Sequence, residues 1–239
     1  MTQQTAAMLV IGDEILSGRT RDSNLHYLAG RLTDHGLRLV EARVVADDPA
    51  AIIAAVNALR LYDHVFTSGG IGPTHDDITA DAMAAAFGVG IGHRPDAMAL
   101  LQAHYDRQGL EFNEARQRMA RIPDVAVLID NPVSVAPGFS LANVHVMAGV
   151  PKIFEAMLEG VLSQIARGQP LLSRSLRMLR GEGEIATAFA GFATAHPDLS
   201  MGSYPFNQAG VFGTNLVLRG TDAARLDMAL AALTALLAQ

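Results

Sequence analysis

A chain of 239 residues suits one large domain or a medium domain with a small appendage, and half of it is hydrophobic, enough for a sizeable core. The formal charge of −6 disfavours a broad electrostatic surface for nucleic acid, and the absence of cysteine excludes disulfides and thiolate chemistry, so any metal must be held by oxygen or imidazole. The opening MTQQTAAMLVIG has no basic segment ahead of its short apolar run, so no export signal or membrane span is expected and a cytoplasmic location is.

In chain order, the apolar run over residues 6–11 predicts a buried strand closed by Gly12. Asp22 and Ser23 offer a helix start, Leu25, Leu28 and Leu32 recur at helical spacing, and Gly36 stops the helix. Residues 37–45 read as a second strand. Asp47, Asp48 and Pro49 announce a helix with Ile52, Ile53, Val56 and Leu59 on one face, before a strand at 64–67. This alternation implies parallel pairing through right-handed crossovers.

The segment SGGIGPTHDD leads into a helix that runs to Phe87, and Pro95 opens another with Met98, Leu101 and Tyr105 turned inward. Strands follow at 125–129 and 144–148, separated by the turn-rich NPVSVAPGF. The sequence GVPKIF then starts an amphipathic helix whose buried side is Ile153, Met157, Val161 and Ile165. Arg167, Gly168, Gln169 and Pro170 mark a boundary between domains at 1–167 and 171–239, the second ordered strand, helix, strand, strand, helix. The expected fold class is α/β, a three-layer mostly parallel sheet with helices on both faces, plus a small α+β domain at the C-terminus.

Functional candidates gather in the loops that end parallel strands, because these open at one edge of the sheet. Gly69, Gly70 and Gly72, directly after a strand in the segment from Ser68 through Pro73 and Thr74, permit positive φ and convergent amides; they read either as a plain tight turn or, ahead of a helix N-terminus, as a nest that attracts phosphate. Asp76 and Asp77 beside it would repel such a ligand unless a divalent cation intervenes, and hard oxygen ligands suit magnesium or manganese. A second reading stays open, in which Thr74 and Asp77 form a capping box and Asp76 favours the helix dipole.

The loop GDEILSGRTRDSN supplies Asp13, Glu14, Ser17 and Asn24 at the same edge, either as an ordinary solvated acidic loop before a helix or with its carboxylates joining one metal and phosphate site. Asn131, Pro132, Pro137 and Gly138 mark either ordinary turns or a substrate wall. Residues 69–74 contain no lysine, which rejects an ATPase P-loop, and the histidines show no close metal spacing.

Taken in order, GDEILSG, TSGGIGPTHDD, NPVSVAPGF and AGVP resemble the N-terminal domain of the competence/damage-inducible CinA proteins. That domain is in turn similar to the MoaB/MogA molybdopterin-binding fold and to the hydrolase-like domain of eukaryotic FAD synthases. The tail, through MGSYP, looks like the small domain that follows this module in CinA proteins, and the amidase domain that many of them carry further on is not expected.

The resemblance implies a small phosphorylated ligand: ADP-ribose, an FAD-like dinucleotide or molybdopterin. It implies hydrolysis of nucleotide diphosphates with magnesium, manganese or cobalt, or alternatively molybdopterin binding or adenylyl transfer, in a homo-oligomer. It places phosphate along residues 68–77, with Asp76 and Asp77 as catalytic groups and Asp76, Asp77 and Asp13 as metal ligands. Glu14, Ser17, Asn24, Asn131, Pro137 and Gly138 would complete the substrate contacts. A non-catalytic nucleotide-binding protein is a third reading, because Val135 stands in SVAPG where the family has threonine, and AGVPKIF lacks a glutamate that CinA-type sequences carry after the proline. An RNA clamp in the small domain is not expected, since the turn Gly181, Glu182, Gly183, Glu184 is acidic and lacks GxxG spacing.

Overall fold

The computed structural model describes residues 3–238, and β1 (Thr5–Ile11) is the strand around which the first unit is built. Successive side chains of a strand point to opposite faces, so Ala7, Leu9 and Ile11 enter one core while Ala6, Met8 and Val10 enter another, none more than 2% exposed. A strand covered on both faces requires such a continuous apolar run.

The chain continues through α1 (Asp13–Leu16), α2 (Asn24–His35), β2 (Arg38–Val45), α3 (Pro49–Leu59), β3 (His64–Ser68), α4 (Thr79–Phe87) and β4 (Ile91–His93). Then come α5 (Pro95–Gln108), α6 (Glu114–Gln117), β5 (Arg121–Pro123), β6 (Val127–Ile129), β7 (Gly138–Leu141), β8 (Val144–Met147) and α7 (Pro151–Gln164). The main sheet has the order β2-β1-β3-β8-β7-β6, with β1 parallel to β2 and β3, and β3 parallel to β8. Ile52 of α3, Met83 of α4 and Leu101 of α5 cover one face; Leu28 and Leu32 of α2 and Met157 and Leu162 of α7 cover the other. The result is the mostly parallel three-layer α/β architecture expected from the sequence.

Two local readings are corrected. NPVSVAPGF does not simply separate two strands, because its end begins β7, which pairs antiparallel with both β6 and β8. A short strand behind a proline and a glycine gives no periodicity, and only its neighbours define it. On α7 the buried residues are Phe154, Met157, Leu158, Val161 and Leu162, while Ile153 is half-buried and Ile165 lies past the helix end.

The second unit, residues 169–239, comprises β9 (Leu172–Met178), α8 (Glu182–Ala195), β10 (Ser200–Gln208), β11 (Val211–Gly220) and α9 (Ala223–Leu237). Its antiparallel sheet has the order β10-β11-β9, and Ile185, Phe192, Leu216, Leu218, Leu226 and Leu233 form its own core. Among the described residues no helix is long and apolar enough to cross a membrane.

One buried polar group makes the first unit sensitive to acid. His145 of β8 is 8% exposed, with Nδ1 2.9 Å from Ser140 Oγ and Nε2 3.4 Å from His64 Nδ1. Burial, reinforced by His64, pushes its pKa down to about 4. A base depressed on folding binds its proton more readily in the unfolded chain, so stability is lost as pH falls from ~6.5 towards 4. Urea unfolding at pH 7 and pH 4.5 should show a loss of roughly 2–3 kcal/mol attributable to this group, and His145→Gln should flatten that difference.

Candidate functional site

The loops after β1, β2, β3 and β8 meet at one edge because those strands run parallel. Backbone proximity shapes the loop after β3. Gly69 has φ +112°, and a Cβ there would stand 2.1 Å from the Ile11 carbonyl oxygen; Gly70 has φ +68°, with its Cβ position 2.1 Å from Thr79 Oγ1. The Gly69 N–H donates to Met147 O at 3.2 Å, while the Thr79 hydroxyl donates to Gly69 O at 3.1 Å and the Thr79 N–H to Gly70 O at 3.0 Å. The loop is thereby fastened to β8 on one side and α4 on the other. The N–H groups of Gly70, Ile71 and Gly72 have no acceptor among the described residues.

These loops enclose a cavity of about 380 Å³. Its acidic lining is Glu14, Asp47, Asp76 and Asp77; Ile71, Met119, Val150 and Ile153 supply apolar wall, and neither lysine nor arginine lines it. Gly69, Gly70, Gly72, Pro73 and Asn131 also lie on its surface.

The aspartates of THDD have different jobs, and neither caps α4. That helix starts at Thr79, its N-cap Ile78 has no side-chain bond, and Asp77 turns back instead. Asp77 Oδ2 accepts the Thr74 N–H at 2.8 Å and the Thr74 hydroxyl at 2.5 Å. The capping-box reading fails because residues 74–77 are a turn before the helix, where a carboxylate reaches its own loop more easily than the later amides. Asp76 keeps its carboxylate 62% exposed, and the Thr74 hydroxyl, its own amide, His75 and Arg118 hold it below the usual carboxylate range. A hydroxyl has one proton, and the 2.5 Å contact assigns that proton to Asp77, so Thr74 acts on Asp76 more weakly.

Asp47, which in the sequence reads only as part of a helix start, lines the cavity. Asp48 does that capping, accepting the Ala51 N–H at 2.8 Å, whereas Asp47 Oδ2 accepts the Asp13 N–H at 2.9 Å and faces the cavity. Burial pushes its carboxyl up, the Asp13 amide opposes this, and the charges of Asp13, Glu14 and Asp76 add to it. The available signal was topological, since Asp47 follows the strand beside β1 and so shares its edge.

Other anticipated residues organise the walls. Asn24 Nδ2 donates to Ser68 Oγ at 2.7 Å and to Gly149 O at 2.8 Å, and Asn24 and Ser68 line an adjoining hollow of about 60 Å³. Asn131 Nδ2 donates to Ser134 Oγ at 2.7 Å and Ala136 O at 2.8 Å, and its Oδ1 accepts the Val133 and Ser134 amides at 3.1 Å, so its side chain is consumed within its own loop. In that loop Val135 holds φ +69°, a costly conformation for a β-branched residue. Pro137 borders a smaller hollow, and Gly138 is buried in β7 against the Val146 carbonyl. Asp13, Ser17 and Thr74 stand outside the lining of the main cavity.

Gly69→Ala should destabilise the protein by at least ~2 kcal/mol, because positive φ and a backbone clash act together. Gly88→Ala, also at positive φ but with nothing within 4 Å of its Cβ position, should cost only about 1 kcal/mol. Asp77→Ala, which strips Thr74 of its acceptor, should cost about 1 kcal/mol, while Asp76→Asn, at an exposed carboxylate, should lower the urea midpoint by less than Asp77→Ala does.

Residues 7–168 match the family model described as a probable molybdopterin binding domain, and residues 170–239 match that of the FAD synthase middle domain. A protein from Metallosphaera sedula is 34% identical over 172 residues, covering 70% of this chain and 65% of its own length. A probable FAD synthase from Caenorhabditis elegans is 32% identical over 261 aligned positions, 99% of this chain and 50% of that protein. The chain thus spans between half and two thirds of these curated relatives. The crystal structure of a CinA protein of unknown function from Thermoplasma acidophilum superposes with a TM-score of 0.62 and 33% identity, covering 68% of this chain and 98% of that one.

Proposed function

Because the chain belongs to the molybdopterin-binding-domain family, with a CinA-like first unit, we propose that its strand-end cavity cleaves a nucleotide diphosphate of the ADP-ribose or FAD type with a divalent cation. The observation that carries this reading is the pairing of unengaged amides at Gly70, Ile71 and Gly72 with carboxylates at Glu14, Asp47 and Asp76 around one cavity. The amides suit phosphoryl oxygens, but the carboxylates repel them unless a cation lies between. The volume fits the usual range for small-molecule sites, and the apolar wall of Ile71, Met119, Val150 and Ile153 suits a planar base.

The hard oxygens of Asp76 and Glu14, with Asp47 behind them, fit magnesium, manganese or cobalt. Among the described residues no three acidic or histidine side chains are grouped to hold an ion by themselves, so ligand phosphate and water would complete its shell. Such a cation supplies Lewis acidity and a more acidic bound water. For ADP-ribose, water oxygen joins one phosphorus as the bridging P–O bond breaks, giving AMP and ribose 5-phosphate. The Gly70–Gly72 amides stabilise the charge developing on the phosphoryl oxygens. Asp77 contributes by holding the loop that presents those amides.

A second reading, molybdopterin binding or adenylyl transfer, is favoured by the same wall, since a pterin ring can lie on Ile71 and Ile153 while its N–H groups donate to Glu14 or Asp47.

Protein incubated with ADP-ribose or FAD plus magnesium, manganese or cobalt should release AMP, measured by chromatography, and Asp76→Asn should lower turnover at least ~100-fold while the protein remains folded, with a smaller fall in melting temperature than Asp77→Ala causes. Folded protein that turns over neither compound with any cation, yet retains a fluorescent pterin, would transfer the site to the second reading.

A further inference from the structure

The second unit has a sheet face that its own helices leave open. α9 packs on β9 and β11 and α8 on β10, and strand alternation sends Leu176, Met178, Leu216 and Leu218 to that side. The intervening positions, including Arg177 of β9, Tyr204 and Phe206 of β10 and Arg219 of β11, take the opposite side. Tyr204 is 46% exposed there.

Charge in this unit is segregated. Residues 169–239 contain five arginines and five side-chain carboxylates. Arg174 pairs with Asp227, Arg180 with Glu184 and Arg225 with Asp198. Asp222 caps α9, and Glu182 accepts the Ser203 hydroxyl. Arg177 and Arg219 have no carboxylate partner among the described residues, and both belong to the open face. Arg177 lies 3.9 Å from the Phe206 ring centre; Arg219 lies 5.7 Å from that of Tyr204 and donates to its hydroxyl at 3.1 Å. The rings sit over missing side chains, Phe206 against Gly213 and Tyr204 against Gly202.

We propose that this face binds single-stranded nucleic acid, with a base stacking on Tyr204 and phosphates meeting Arg219 and Arg177, the latter held in place on the Phe206 ring. A surface offering cations and rings without a carboxylate selects an anionic partner that carries planar groups. It rejects a second copy of itself, because two such faces would oppose arginines with no counter-charge between them. A single nucleotide is held in a concave site, whereas here the arginines and rings are spread over three strands on one side of a sheet, so the partner that fits is a strand laid across it. The chain-wide charge of −6 does not argue against this, because the second unit's side chains sum to neutrality and the excess acid belongs to the first. The acidic turn at Gly181 is occupied elsewhere, with Glu184 Oε1 accepting the Gly181 N–H at the start of α8.

Fluorescence anisotropy with labelled twelve-nucleotide oligo-dT and oligo-U, using the full chain, tests the assignment. Binding is expected with Kd between roughly 1 and 100 μM at low salt, and with log K falling against log salt at a slope of about −1.4, the signature of two phosphate contacts on a single strand. Arg177→Gln with Arg219→Gln should remove that slope and weaken binding at least ~10-fold, and Tyr204→Ala should weaken it ~5-fold or more, with circular dichroism unchanged. The proposal is overturned by no binding at 100 μM protein in low salt. It is equally overturned by unchanged affinity in folded Arg177 and Arg219 variants, or by a polyglutamate peptide binding as tightly as the oligonucleotides, which would make the partner an acidic polypeptide.

Discussion

The contact between Gly69 and the Ile11 carbonyl is the constraint on which the rest of the first unit's site depends. At this point the end of β3 passes so close to the end of β1 that a Cβ would stand 2.1 Å from the Ile11 oxygen, and Gly149, after β8, reaches within 3.3 Å of Gly69 through its own Cβ position. Loops from β1, β3 and β8 therefore meet as bare backbone, which leaves amides rather than side chains at the floor of the cavity. Asn24 strengthens the junction by donating to both Ser68 and Gly149. The parallel sheet decides that these loops emerge together, and glycine decides how closely they approach.

Around that floor the electrostatics are unbalanced by construction. Donors come from the backbone and carry only partial charge, whereas Glu14, Asp47 and Asp76 bring full negative charge with no cationic side chain in the lining. The upward push on Asp47 is a physical sign of the crowding, with burial its largest cause and neighbouring carboxylates adding to it. A ligand that relieves this must deliver positive charge or hydrogen-bond donors, which is the chemistry shared by a cation-bound diphosphate and a pterin. Asp77 does not add to the imbalance in the same way, since Thr74 supplies it with two donors.

The second unit handles charge in the opposite manner. Its carboxylates pair with arginines or serve helix starts, and the arginines left over are laid on aromatic rings across one side of a sheet. Glycines at positions 202 and 213 leave room for those rings, as Gly69 lets backbone meet backbone in the first unit. In both units a missing side chain leaves other groups bare, backbone amides in the first and aromatic rings beside arginines in the second.

From sequence alone, β1 was readable as a doubly covered strand, because six successive buried apolar residues satisfy both faces of a sheet at once. The strand–helix alternation, the left-handed stop at Gly36 and the glycine nest at 69–72 were equally local properties, and local chemistry is what a sequence carries directly. Three things were not local. β7 exists only because β6 and β8 flank it; Asp47 enters the site only because β2 lies beside β1; and Asp77 turns to Thr74 rather than to α4 only because the helix begins at Thr79, with Ile78 and not an aspartate or Thr74 at its N-cap. Each depends on which backbone lies next to which. Composition and periodicity therefore determined the elements and the acidic, glycine-rich character of the loops, whereas tertiary structure decided which carboxylates stay available, since hydrogen-bond partners are settled by distances between segments far apart in the chain.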